Sequence, residues 1–319
     1  MAEIDYKEIS GNQHPKLSII TASLNQGRFL RQMIESILAQ TYTNYEHIVM
    51  DGGSTDNTFE ILKEYPQIKW FLQKDNSPFE AFIKLRSLVS GEYVIQCCTS
   101  DGFLDKHWFQ MCVDTLDKNK DISMVWGLPQ YMTEDGFLQK ITTPYYLSDP
   151  PPQKKDFLGF WLATGHIMYE GNQCTRRDVF QRCFPASLES CRYKNDIFLD
   201  FIYKFMTLGY LPYFLPIIAS YGRVHEGASG QSETGLPKVL FSRKQFLVEV
   251  KKYRKKLFKG KLKHYLCDGN SQIIAELSKK ELHACKLTFY KTKIKVLSYY
   301  SLHDIVWFIL RKFRLSKRR

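Results

Sequence analysis

The sequence predicts an α/β chain: a Rossmann-like, doubly wound, mostly parallel sheet followed by a basic α-helical extension. Two patterns carry the sheet, and a third marks the extension. Short β-prone runs alternate with helical periodicity from residue 16 to residue 98, which is the signature of βαβ units with right-handed crossovers. Two of those runs stop at an aspartate followed by glycine, Asp51-Gly52 and Asp101-Gly102, where an open α/β sheet carries its ligand rim. From Lys238 onward 23 Lys and Arg stand against 5 Asp and Glu, a charge of +18, whereas residues 1–237 carry −6.

In order, residues 1–15 form a polar N-terminal extension and Lys16 to Ser23 a first strand, with Asn25-Gln26-Gly27 as a turn. Phe29 to Gln40 places Leu30, Ile34, Ile37 and Leu38 at helical spacing. Tyr45 to Met50 is a second strand, Thr58 to Tyr65 a helix, and Ile68 to Leu72 a third strand. Phe79 to Val89 is a helix and Tyr93 to Cys98 a fourth strand ending in Thr99-Ser100-Asp101-Gly102. An aspartate at such a strand end suits a metal or a nucleotide hydroxyl, and it equally suits a plain Asx turn. No GxGxxG follows the first strand and no GxxxxGK[ST] occurs, which disfavours a Rossmann dehydrogenase and a P-loop NTPase.

Farther on, Met124 to Gly127 reads as a strand and Tyr131 to Phe137 as a hairpin with an Asp-Gly turn. Gly171 to Phe180 leads from a strand into a helix, with Arg176 and Arg177 at its start. Lys194 to about Leu208 forms a helix whose first turn carries Asp196, with Asp200 one turn later. Arg223 and His225 occupy alternate positions and so share one face of a strand, and Gly227, Ser229 and Gly230 suit a lid loop.

The eight cysteines show no CxxC spacing, so free thiols explain them better than disulfides or zinc. The N-terminus lacks a signal-peptide core and no run of 18 uncharged apolar residues occurs, so a cytoplasmic protein is expected. Phe241 to Leu257 and Val296 to Leu315 mix aromatic and aliphatic residues with Lys and Arg, as helices lying on an anionic membrane surface do. A helical hairpin packed on the preceding domain fits the same pattern, and no nucleic-acid-binding module is visible.

Three blocks together resemble the family 2 glycosyltransferases of the GT-A fold: Leu17 to Asn25, His47 to Thr58 with its Asp-Gly-Gly-Ser-Thr-Asp, and Gly91 to Asp101. The resemblance covers roughly residues 16–235. It implies a GT-A domain at 16–237, divided into a nucleotide-binding half at 16–105 and an acceptor half at 106–237, with the basic region at 238–319. It further implies an inverting glycosyltransferase that moves a sugar from a nucleotide-diphospho-sugar, UDP-linked, to a saccharide or lipid-linked saccharide of a surface polysaccharide.

Carried over residue by residue, Thr21, Ser23, Asn25, Asp51, Ser54, Ser100, Asp101 and Arg223 contact the nucleotide sugar. Asp101 and His225 hold Mg²⁺ or Mn²⁺, and Asp196 is the catalytic base. The chain departs from the pattern where Thr99 replaces the first carboxylate of Asp-X-Asp, where Gly102 replaces a frequent second Asp, and where Asn195 replaces the usual Glu. A nucleotide-sugar-binding protein with weak or no transferase activity is the alternative.

Overall fold

The computed structural model describes residues 14–74, 77–139, 141, 145–168, 170–193, 195–226 and 235–299. Strand β1 (Leu17–Ser23) lies between β2 (Tyr45–Asp51) and β4 (Tyr93–Gln96), and β3 (Lys69–Leu72) lies beyond β2, all parallel. Helices α1 (Gly27–Leu38), α2 (Thr58–Lys63) and α3 (Pro78–Leu88) connect them, so the βαβ reading of this half is what forms. Ser77 caps α3 by accepting from the Glu80 N–H, and Pro78 occupies the first turn, where a missing N–H costs nothing.

The second half is mixed. After β5 (Gly102–Phe103) and α4 (Trp108–Lys118) come β6 (Met124–Met132), α5 (Tyr145–Ser148), α6 (Phe157–Thr164), β7 (Gln173–Arg176), α7 (Arg177–Cys183), α8 (Ile197–Thr207) and β8 (Pro212–Arg223). The eight-stranded order is β3-β2-β1-β4-β7-β6-β8-β5, with β7 antiparallel to both β4 and β6, β8 parallel to β6, and β5 antiparallel to β8. The expected turn after β6 is present, with Gly136 at φ 91° and the Thr133 carbonyl accepting from the Gly136 N–H.

Side chains alternate across the sheet, and both faces are covered. Ile19, Val49, Ile95, Val125 and Cys174 pack with Leu30, Ile34 and Phe109 on one face. Ile20, Met50, Val94 and Trp126 pack with Phe82, Leu85 and Phe201 on the other.

The basic region does not stand apart as its charge suggests. Helix α9 (Gly235–Phe258) buries Phe246, Val250 and Leu257 in the second of these cores, beside α6 and α8. A hairpin of β9 (Tyr265–Cys267) and β10 (Ile273–Glu276), which the sequence reading missed, precedes α10 (Lys279–Tyr299). Helix α10 crosses α6 so closely that a Cβ at Gly159 would meet the Cys285 carbonyl oxygen at 2.6 Å. Within Phe241 to Leu257, Phe246, Val250 and Leu257 are thus used inside the protein while Phe241, Leu247 and Val248 stay exposed, and the expected helix at Val296 to Leu315 lies outside the described residues from Tyr300 onward. Among the described residues no helix is long and apolar enough to cross a membrane.

Candidate functional site

Parallel register sets Ser23 beside Asp51, so the ends of β1 and β2 form a level rim. The Asp51 side chain is fully buried and satisfied by its own turn. Oδ1 accepts from the N–H groups of Gly53 and Ser54 at 2.9 and 2.7 Å, and Oδ2 accepts from Ser54 Oγ at 2.6 Å. Ser54 Oγ in turn accepts from the Asn25 N–H at 2.7 Å, and Asn25 Oδ1 accepts from the Thr55 N–H at 2.8 Å. Asn25 holds φ 51°, a left-handed conformation that Asn tolerates better than most residues.

This lacing fastens the two strand ends together and shapes the rim. Thr21 is fully buried, its hydroxyl 3.0 Å from His47 Nε2. Ser23 is buried with its hydroxyl lacking a hydrogen-bond partner among the described residues.

At the end of β4 the hydroxyl of Thr99 donates to the Ala22 carbonyl at 2.8 Å, a structural bond where a carboxylate was expected. The Asp101 N–H closes a turn on the Cys98 carbonyl at 3.0 Å, and Asp101 Oδ1 accepts from the Arg223 N–H at 3.0 Å. Burial pushes the Asp101 carboxyl up to about 6, against the lowering influence of that N–H, Ser100 and the Arg223 charge. Glycine follows it for a steric reason: a Cβ at Gly102 would lie 2.5 Å from Tyr221 Oη and 2.7 Å from Ser36 Oγ, because β5 is wedged between β8 and α1. A second aspartate has no room there.

Arg223 serves this loop. Its guanidinium donates to the carbonyls of Ser100, Thr133 and Glu134 and to the Gln32 side chain, and it lies 4.8 Å from the Phe29 ring. His225 follows two residues later, buried, with its ring 4.9 Å from Phe29 and its Nδ1 lacking a partner among the described residues. Burial, then the Arg28 charge, draw its pKa below the ordinary value, so the imidazole is neutral and able to act as a ligand.

The Asp101–Arg223 bond fastens Asp101 to the strand end two residues before His225. A carboxylate and a neutral imidazole are donors that a divalent cation accepts, with water and phosphate oxygens filling the rest of its shell. Among the described residues no group of three or more His, Cys, Asp or Glu forms a fuller cage. The lid expected at Gly227, Ser229 and Gly230 lies outside the described residues.

Asp196 directly precedes α8 with its N–H donating to the Tyr193 carbonyl at 2.8 Å, and burial pushes its carboxyl up to about 6. Asp200 is spent structurally, its Oδ2 accepting from the Tyr193 N–H at 2.9 Å. Arg176 is likewise committed, to the carbonyls of Ile122, Leu116 and Asn119, and Arg177 binds the Ser90 carbonyl.

A Cβ built at Gly171 would lie 4.0 Å from Asp101 Oδ2, and the Asn172 amide donates to the Gly127 carbonyl. The Trp126 and His166 rings are tilted against each other with centroids 4.9 Å apart. Gln96 Nε2, both amide atoms of Gln173, Trp126 Nε1 and His166 Nε2 are buried without a hydrogen-bond partner among the described residues, an arrangement suited to a polar ligand. The sequence reading gave no role to His166, Gln96 or Gln173, because burial without a partner depends on tertiary packing and leaves no local motif.

Comparison with known proteins agrees with this geometry. Residues 18–184, more than half of the chain, match glycosyl transferase family 2. Chondroitin synthase of Escherichia coli is 30% identical over 128 residues, covering 39% of this chain and 18% of that protein. The putative glycosyltransferase EpsE of Bacillus subtilis is 34% identical over 121 residues, covering 33% and 44% respectively. An uncharacterized glycosyltransferase of Nostoc, alr2836, is 25% identical over 178 residues and 53% of each chain, so this chain spans about half or less of these relatives.

Among solved structures, the mannosyltransferase PcManGT of Pyrobaculum calidifontis in complex with GDP-Man and Mn²⁺ superposes with a TM-score of 0.53 at 15% identity, covering 94% of this chain and 80% of that one. Residues 1–349 of S. aureus TarS give the same TM-score at 13% identity, covering 88% and 72%. A family match across β1 to α7, on a sheet that these solved structures share, makes the chain a member of glycosyl transferase family 2 with the GT-A fold.

Proposed function

We propose that the chain is an inverting glycosyltransferase that moves a sugar from a nucleotide-diphospho-sugar, UDP-linked, to a hydroxyl of a saccharide or lipid-linked saccharide in surface polysaccharide synthesis. One observation carries the reading. Asp101 and Asp196 are buried carboxyls both pushed up to about 6, and Gln96, Gln173, Trp126 and His166 carry buried polar atoms without a hydrogen-bond partner among the described residues.

Asp101, with His225, would hold Mg²⁺ or Mn²⁺ against the donor diphosphate. When bound, the ion neutralises the charge that develops on the leaving group. Asp196 accepts the proton of the acceptor hydroxyl as its oxygen attacks the anomeric carbon opposite the diphosphate. The new C–O bond forms as the bond to phosphate breaks, and its electron pair leaves on the nucleoside diphosphate. Asp51 shapes the nucleoside rim through its turn, and Ser23, with its spare hydroxyl, lines that rim.

A second reading, binding of the nucleotide sugar without transfer, has one observation in its favour: Thr99 spends its hydroxyl on Ala22 and gives no carboxylate. Thermal shift with UDP-GlcNAc, UDP-glucose, UDP-galactose and GDP-mannose, each with Mn²⁺, followed by product detection with saccharide acceptors, separates the two. A true donor raises the melting temperature. Stabilisation without transfer or donor hydrolysis supports the second reading, and the absence of any stabilisation overturns both.

Location at an anionic membrane, on the cytoplasmic side, is part of the proposal. Leu287, Tyr290 and Ile294 form an exposed stripe on α10, and Lys291 and Lys293 lie between them in sequence. Sedimentation with phosphatidylglycerol vesicles tests it. Leu287→Ser with Ile294→Ser is expected to reduce binding severalfold, and equal binding by the variant removes the role of this stripe.

A further inference from the structure

We propose that Gln96, Gln173 and Trp126, with His166, form a specificity-determining row that takes the hydroxyl or acetamido groups of an uncharged hexosyl ring, the sugar carried by the donor. This deepens the reading of the chain as a nucleotide-sugar enzyme and rests on it.

Strand register builds the row. Ile95 faces Cys174 across β4 and β7, so the next pair is Gln96 and Gln173, and Trp126 faces Gln173 across β6 and β7. Ile20 flanks the row on β1 and Phe214 on β8. Side chains alternate along a strand, and Ile95, Val125 and Cys174 pack in the core on one face, so Gln96, Gln173 and Trp126 share the other face with Val94 and Met124. The His166 ring lies against that of Trp126 and 5.7 Å from the rings of Tyr146 and Phe160.

Such a row is out of place in an interior. Gln96 and Gln173 are each 2% exposed, between apolar neighbours, where polar groups are normally paired. Gln96 Nε2 and Trp126 Nε1 only donate, Gln173 offers a donor and an acceptor, and His166 Nε2 adds a fifth atom; none has a hydrogen-bond partner among the described residues. A set that mixes donors with an acceptor is satisfied by groups that do both, as hydroxyl and acetamido groups do. No member of the row is charged, since burial draws the His166 imidazole down to about 3. The surrounding rings suit the C–H faces of a sugar.

The position of the row points to the donor sugar. Gln96 ends β4 just before the Asp101 turn, and a Cβ on Gly171, in the segment leading into Gln173, would lie 4.0 Å from Asp101 Oδ2. The row therefore adjoins the carboxylate assigned to the diphosphate, the group to which the sugar is joined. Its polar atoms touch no solvent in the free protein. Residues 165–168, which hold His166 over Trp126, are neither helix nor strand, and binding requires this segment to shift.

Titration calorimetry on the full chain with Mn²⁺ compares UDP-GlcNAc, UDP-glucose, UDP-galactose and GDP-mannose with UDP and GDP. Gln173→Met keeps the volume of the side chain and removes both of its polar atoms. It is expected to weaken the best-bound nucleotide sugar about tenfold, the worth of two hydrogen bonds, and to leave the matching nucleoside diphosphate unchanged. Gln96→Met should act in the same direction. A nucleotide-sugar affinity unmoved in Gln173→Met, or an equal loss for sugar and diphosphate, overturns the proposal. Should neither variant fold, the wild-type Trp126 indole N–H signal, assigned through its contacts with the His166 ring, takes their place. It is expected to move downfield with nucleotide sugar and to stay in place with the diphosphate alone; a signal indifferent to both overturns the proposal. A wild type that binds no nucleotide and no nucleotide sugar would instead sink the underlying reading, and the row with it, so the two failures are distinct.

Discussion

Asp101 Oδ1 accepts the backbone N–H of Arg223 at 3.0 Å, and through this bond the loop after β4 is fastened to the end of β8. The Arg223 side chain then folds back onto the Ser100 carbonyl, so the same residue braces the loop twice. Two segments 122 residues apart meet here as one unit.

For Asp101 the expected result separates folding from ligand binding. Asp101→Asn keeps an acceptor for the Arg223 N–H and removes a charge that burial disfavours, so its melting temperature near pH 7 should equal or exceed that of the wild type. The stabilisation by nucleotide sugar that depends on Mn²⁺ should be lost. Thermal shift with and without Mn²⁺ reads both, and an undiminished metal-dependent shift would refute Asp101 as ligand.

Arg223 is expected to act on stability before donor affinity. Its guanidinium is buried and bonded to three carbonyls and Gln32, and removing it takes that donor from the Ser100 and Glu134 carbonyls and the Gln32 side chain. Arg223→Met should cost about 2–4 kcal/mol by denaturant unfolding. A variant as stable as the wild type, with only a raised KM for the donor, would return Arg223 to a direct binding role.

Asp196 couples catalysis and stability with opposite signs. Its carboxyl is pushed from the ordinary 3.8 up to about 6, so the folded protein binds that proton more tightly than the unfolded chain does. The favourable contribution is present below the ordinary value and is lost as pH rises from about 4 through about 6. Asp196→Asn should therefore lower kcat by about 10²–10⁴-fold yet raise stability near pH 7 by about 1–3 kcal/mol. For the wild type, kcat should fall below about pH 6, where the base becomes protonated. Calorimetry and a pH-rate profile check the two halves separately.

Gly102 gives a test of the departure at the position after Asp101. Gly102→Asp supplies the aspartate frequent there but drives a Cβ to within 2.5 Å of Tyr221 Oη. The expected outcome is a loss of about 1–3 kcal/mol with no gain in Mn²⁺ affinity, measured by unfolding and by titration of the ion. A more tightly binding and equally stable variant would show that β5 yields.

Much of the half built on β1 to β4 was legible in the chain. The alternation of Leu17 to Ser23 with the helical spacing of Leu30, Ile34 and Ile37 is local information, and so is the glycine-rich turn after Asp51. Local periodicity and turn chemistry sufficed to order β1, β2, β3 and β4. Asp196 at the start of α8 was legible for the same reason.

Only the tertiary structure decided what those residues touch. Asp51 spends its carboxylate on its own turn, Arg223 braces a loop far away in sequence, and Gly102 is required by Tyr221 and Ser36. The basic region, whose charge fits both a membrane-surface helix and a hairpin packed on the preceding domain, buries Phe246 and Phe289 in the common core. Charge patterns report which side chains can remain in water. They do not report where the apolar residues between them are buried, because that depends on long-range packing of α6, α8, α9 and α10.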